Sequence, residues 1–64
     1  MRLIPGDVVR LPGDTTSSFV VVSASTYPDG LTYDVFIVDP VSLRREKWHS
    51  SDVQRLHLVS AHVP

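Results

Sequence analysis

Phe19-Val20-Val21-Val22-Ser23-Ala24-Ser25-Thr26-Tyr27-Pro28-Asp29-Gly30-Leu31-Thr32-Tyr33-Asp34-Val35-Phe36-Ile37-Val38 sets two runs of β-branched and aromatic residues on either side of a tight turn. Pro28 presets φ for the first corner, Asp29 tolerates the second, and Gly30 supplies a positive φ after it. Strand formers flank the turn on both sides, which predicts a β-hairpin. The first strand is expected from Phe19 to Ser25 and the second from about Leu31 to Val38. On the second strand Leu31, Tyr33, Val35 and Ile37 form an apolar alternate set, so that set is assigned to the core. Thr32, Asp34, Phe36 and Val38 then point away from it. The first strand is apolar on both faces; we assign Val20 and Val22 inward, Phe19 and Val21 outward.

The same alternation of apolar run and turn chemistry continues to both ends. Pro5-Gly6-Asp7 is a turn, Val8 to Leu11 a strand, and Pro12-Gly13-Asp14 with Thr15 to Ser18 a polar loop. Asp39-Pro40 closes the strand that ends at Val38, because proline cannot donate to a ladder. Ser42 to His49 is expected as a fourth strand, with Leu43, Arg45, Lys47 and His49 on one face and Ser42, Arg44, Glu46 and Trp48 on the other. Ser50-Ser51-Asp52 is expected to cap one helical turn, of 3-10 type, running through Gln54. Arg55 to Val59 makes a fifth strand, and residues 60–64 a frayed tail. The composition agrees: 17 of 64 residues are Val, Ile or Thr, whereas Ala, Glu, Lys and Gln together number five. Stiff β-branched side chains pack well on a pleated surface. The expected fold class is therefore all-β, a single domain of five short strands with a 3-10 turn before the last. Its core lies within residues 3–59 and is drawn from Val9, Val20, Val22, Tyr33, Val35, Ile37, Val53, Leu56 and Leu58.

Three segments carry a family resemblance: Pro5-Gly6-Asp7-Val8-Val9-Arg10-Leu11, the Pro28-Asp29-Gly30 hairpin, and Ser51-Asp52-Val53-Gln54-Arg55-Leu56 before the final strand. In this order the chain resembles the SH3-like small β-barrels, the group that includes Tudor and KOW domains. The resemblance spans roughly residues 3–59. It implies a five-stranded barrel and a binding role, of the kind found in small accessory proteins of bacteria or their phages. The tyrosine-rich ligand motif of signalling SH3 domains is missing, so proline-rich peptides are not implied. Tudor-like barrels hold methylated Lys or Arg in an aromatic cage; Tyr27, Phe36 and Trp48 are the residues here that such a cage would draw on.

Several chemistries lack the residues they need. The chain has no Cys, which removes disulfides and thiolate zinc sites. His49, His57 and His62 follow no standard ligand spacing. Gly6, Gly13 and Gly30 are isolated, so no phosphate-cradling loop is present. His49-Ser50-Ser51-Asp52 contains the residue types of a catalytic triad, but neighbours in sequence do not give triad geometry. We therefore expect no enzyme, no cofactor and no metal. No apolar run exceeds four residues, against the ~20 that a spanning helix needs. Pro5, Gly6 and Asp7 interrupt any signal-peptide core after Met1 and Arg2, so a cytoplasmic protein without membrane contact is expected.

Two surfaces remain as candidates. Phe19, Val21, Phe36 and Val38 are expected to share an outer face with no obvious cover in a chain this short, and contiguous exposed apolar surface marks an interaction site; the competing account is cover by the loop of residues 12–18 or by the C-terminal tail. The leading expectation is thus protein–protein interaction, with another protein or by self-association. Charge gives the alternative. Residues 1–40 carry two arginines against five aspartates, net −3, and residues 41–64 carry four cations against two acids, net +2. Arg44, Arg45, Lys47 and Arg55, with Trp48 beside them, are a candidate nucleic-acid patch that would meet phosphate and stack a base. The competing account of those charges is a solvated edge strand, blunted against aggregation. A domain of this size holds only ~3–5 kcal/mol of net stability. Truncating Val35 or Ile37 to Ala is expected to cost ~1–4 kcal/mol, measured by urea denaturation, and to leave little folded protein.

Overall fold

Asp29 builds the central turn. Its Oδ1 accepts the backbone N–H of Leu31 and of Thr32 at 2.9 and 2.8 Å. Gly30 donates to the Tyr27 carbonyl at 3.0 Å and sits at φ +74°, where a side chain would be strained. The computed structural model that shows this describes residues 2–63. Five strands follow one another: β1 (Val8–Arg10), β2 (Phe19–Thr26), β3 (Tyr33–Val38), β4 (Arg45–His49) and β5 (His57–Ser60). A 3-10 turn, Val53–Arg55, precedes β5. The all-β fold expected from the sequence is the fold observed.

All neighbouring strands are antiparallel, in the order β4-β3-β2-β1-β5. The sheet curls into a half-barrel with β4 and β5 as its two edges, an architecture compatible with an SH3-like small β fold. Three elements start later than the sequence suggests; one is β5, which begins at His57 because Arg55 belongs to the 3-10 turn. Leu31 belongs to the turn and is 84% exposed, because Asp29 holds its N–H. The stretch from Asp39 to Arg44 is also a turn: Asp39 Oδ1 accepts from Val41 and Ser42, and Leu43, at φ +64°, donates to the Asp39 carbonyl. Ser42 and Leu43 therefore lie outside β4.

The core is Leu3, Val9, Phe19, Val21, Val35, Ile37 and Val53, with Leu11, Tyr33, Trp48, Leu56 and Leu58 packed around it. β2 is turned over relative to its expected facing. Phe19 and Val21 are 0% and 1% exposed, whereas Val22 is 50% exposed and Val20 is half-buried. The cause is a β-bulge. Val21 pairs with Ile37, Ser23 with Phe36 and Ala24 with Val35, and the register shifts between Val21 and Ser23. One extra residue opposes Phe36, so odd positions lie on the inner side before the bulge, and after it the even positions Ala24 and Thr26 share the side of Val35 and Tyr33, though both are exposed.

Residues 4 and 62 are tied together through Asp7, so the expected frayed tail is held as far as His62; Pro64, the last residue of that tail, lies outside the described residues. Asp7 is buried. Its Oδ2 accepts the Ile4 N–H at 2.9 Å and its Oδ1 the His62 N–H at 2.7 Å. The backbone around it bonds β2, through Gly6 N–H to the Val21 carbonyl and Val21 N–H to the Asp7 carbonyl, both 2.8 Å. Gly6 lies at φ +97°, and a Cβ placed there would come within 2.6 Å of the His62 ring. Gly6→Ala thus meets both a strained backbone and a side chain anchored by its own main chain. It is expected to cost roughly 1–3 kcal/mol in urea denaturation; a neutral substitution would mean that the clamp does not form.

Candidate functional site on the outer sheet face

The outer face is built in rows across the sheet. Val8 pairs with Val20, Val20 with Val38, and Val38 with Arg45. In the next row Ser23 and the bulged Val22 lie opposite Phe36, which pairs with Lys47. An open groove runs along these rows, lined by Val22, Phe36, Val38, Arg45 and Lys47. Beyond them the face turns polar. Asp34 accepts a hydrogen bond from the Tyr27 hydroxyl at 2.9 Å, and the Tyr27 ring meets His49 edge-on with centroids 5.9 Å apart.

Of the four apolar residues expected outside, Phe36 and Val38 are there and half-buried, and Phe19 and Val21 are not. Those two are wholly enclosed in the core and reach no partner. Val20 and Val22 stand in their place. A proline or glycine would have flagged the irregularity in β2, but the sequence has neither between Phe19 and Thr26. No local signal betrays the bulge.

The five residues of the expected nucleic-acid patch are divided by the pleat of β4. Arg45 and Lys47 point outward. Trp48 pairs with Val35 and so belongs to the inner side, where its Nε1 donates to Glu46 Oε1 at 3.0 Å. The Arg55 guanidinium lies 5.8 Å from the Trp48 ring centroid. Arg44 pairs with Glu46 and lies over the Phe19 ring. Tyr27, Phe36 and Trp48 likewise form no cage, since Phe36 is outside and Trp48 inside. The aromatic face needed to stack a base is therefore turned against the core.

His49 and Ser51 do touch, Nδ1 to Oγ at 2.8 Å, as part of the turn after β4. Asp52 stands at the start of the 3-10 turn without a side-chain capping bond, and lies 3.9 Å from Arg55. The capping hydrogen bond expected of it is absent. Among the described residues, no group of three or more His, Cys, Asp or Glu could hold a metal ion, and no helix is long and apolar enough to cross a membrane. Comparison with protein-family models, curated proteins and solved structures finds no match to this chain.

The acids of the chain are largely engaged in its own turns. N–H donation by His62, and then Ile4, holds the Asp7 carboxyl below its ordinary value of 3.8. The Thr16 N–H does the same for Asp14, the Thr32 hydroxyl for Asp29, and the Val41 N–H for Asp39. Each binds its proton more weakly folded than unfolded. Their contribution to stability is complete above 3.8 and is lost as pH falls through the lower folded values. The melting temperature followed by circular dichroism is expected to stay level from about pH 7 to about pH 5 and to drop below about pH 4. A decline that is complete above pH ~5 would contradict the assignment.

Proposed function

We propose that this chain is a small non-enzymatic binding module that holds another protein, or a second copy of itself, against the outer face of β2, β3 and β4. The supporting observation is the pair of adjacent rows, Val8, Val20 and Val38 in one and Val22 and Phe36 in the next, that end on Arg45 and Lys47. Burying such rows would contribute ~25 cal/mol per Å² of apolar area removed from water. Charged residues at its border would set orientation and rate of encounter more than affinity. The likeness to Tudor and KOW barrels, the comparison with bacterial or phage accessory proteins and the cytoplasmic setting belong to the same proposal and rest on sequence pattern. Nucleic acid as partner remains the alternative reading, with Arg45 and Lys47 as its phosphate contacts.

A photo-cross-linking amino acid placed at Val22 tests the proposal in cells that express the protein, with Leu31 as the exposed control on the hairpin tip. Discrete cross-linked products are expected from position 22 and not from position 31. Identical, diffuse patterns from both positions would overturn the proposal. A product that disappears on nuclease treatment would transfer the face to nucleic acid.

A further inference from the structure

The groove ends on an open strand edge. β4 is the terminal strand of the sheet, and the ladder that joins it to β3 fixes which of its backbone groups are engaged. Asp39 N–H bonds the Arg44 carbonyl at 2.9 Å and Ser50 N–H the Tyr33 carbonyl at 2.8 Å. Between these bonds the register runs without a shift, Ile37 with Glu46 and Val35 with Trp48. Antiparallel pairing alternates hydrogen-bonded and non-bonded pairs. Residues 44, 46, 48 and 50 therefore bond β3, and the N–H and C=O groups of Arg45 and Lys47 face away from the sheet. The carbonyl of His49 is taken by the Asp52 N–H at 2.8 Å, which ends the free edge at that residue.

Charge selects what this edge accepts. The ion pairs among the described residues join Arg44 to Glu46 and Arg55 to Asp52, so neither Arg45 nor Lys47 meets an acid of its own chain. Asp7, Asp14, Asp29 and Asp39 are bound to backbone N–H groups in turns, and Asp34 to the Tyr27 hydroxyl. A second β4 laid on this edge would set cations against cations, which destabilises a directly opposed pair. The other edge strand, His57–Ser60, carries no carboxylate to offer.

We infer that the open edge of β4 takes an extended acidic segment of a partner protein as an added strand, its carboxylates set against Arg45 and Lys47. The inference rests on the reading of the outer face as a binding surface and names the chemistry of what binds there. Main-chain bonds to Arg45 and Lys47 would hold the segment, and alternate side chains would select it. On the outer side those side chains are Asp or Glu. On the inner side they lie next to half-buried Trp48 and to Glu46, whose carboxylate is already held by Arg44 and the Trp48 indole N–H, so small uncharged residues fit. The recognised pattern is thus an acid and a small uncharged residue in alternation, with period two.

The probe is a capped synthetic peptide of alternating Glu and Val, titrated into isotope-labelled protein and followed by amide chemical shifts. Shifts are expected to centre on the Arg45 and Lys47 amides, with slowed hydrogen exchange at both. A Lys–Val peptide is expected to bind at least roughly tenfold more weakly. The exposed double variant Arg45→Glu with Lys47→Glu should reverse that preference, its own amide spectrum reporting that it is folded. N-methylation of the peptide on its ladder-facing nitrogens should abolish binding. No binding of the Glu–Val peptide, or binding equal to that of the Lys–Val peptide, would overturn the inference. Shifts confined to Val22 and Phe36, with none at the β4 edge, would also overturn it, while leaving the outer face as a binding surface.

Discussion

One buried carboxylate organises this fold. Asp7 receives N–H groups from Ile4 and His62, residues at opposite ends of the chain, while its own peptide group is in register with Val21. A buried charge without donors is costly, and one that receives several N–H bonds is stabilised as an anion. The clamp therefore forms only when the first turn, β2 and the segment after β5 have all arrived. A chain too short to close a large core gains cooperativity in this way. The loss of Ile4 or His62 as donor leaves the carboxylate under-solvated, and the loss of β2 leaves the Asp7 carbonyl unpaired, so the first turn, β2 and the segment after β5 depend on one another.

The same chemistry recurs at smaller scale. Asp14, Asp29 and Asp39 each turn inward on their own loop and accept two backbone N–H groups. Aspartate is short enough to reach an N–H two or three residues on, which is why it suits these corners. The net charge of −1 thus conceals a division of labour. Acids fix the loops, and two of the cations, Arg45 and Lys47, stand on the sheet with no anion of the chain beside them.

Much of the architecture was readable from local chemistry. The Pro28-Asp29-Gly30 corner, the turn at Pro5-Gly6-Asp7 and the inward set Val35 and Ile37 follow from residue type and a period of two. The 3-10 turn before the last strand was legible as well. What escaped reading depends on long-range registration. The β2 bulge adds a residue inside an apolar run where every choice looks equally good, and so Phe19 and Val21 changed places with Val20 and Val22. Residues 60–62 look like a loose tail because the acceptor that holds His62 is 55 positions away. The basic residues of β4 read as one cluster until the pleat sends Arg45 and Lys47 to one side and Trp48 to the other. The open edge of β4 was likewise invisible, since strand order is a property of the sheet and not of any segment.

The sharing of one carboxylate by residues 4 and 62 has an architectural consequence. Entry to and exit from the described chain lie side by side, with the hairpin tip at Gly30 among the free loops. Such geometry tolerates circular permutation, with old ends joined and new ones opened at an exposed loop. It equally suits insertion of the whole unit into a surface loop of a larger scaffold, which would need to part by little more than a strand spacing, ~5 Å, to admit it.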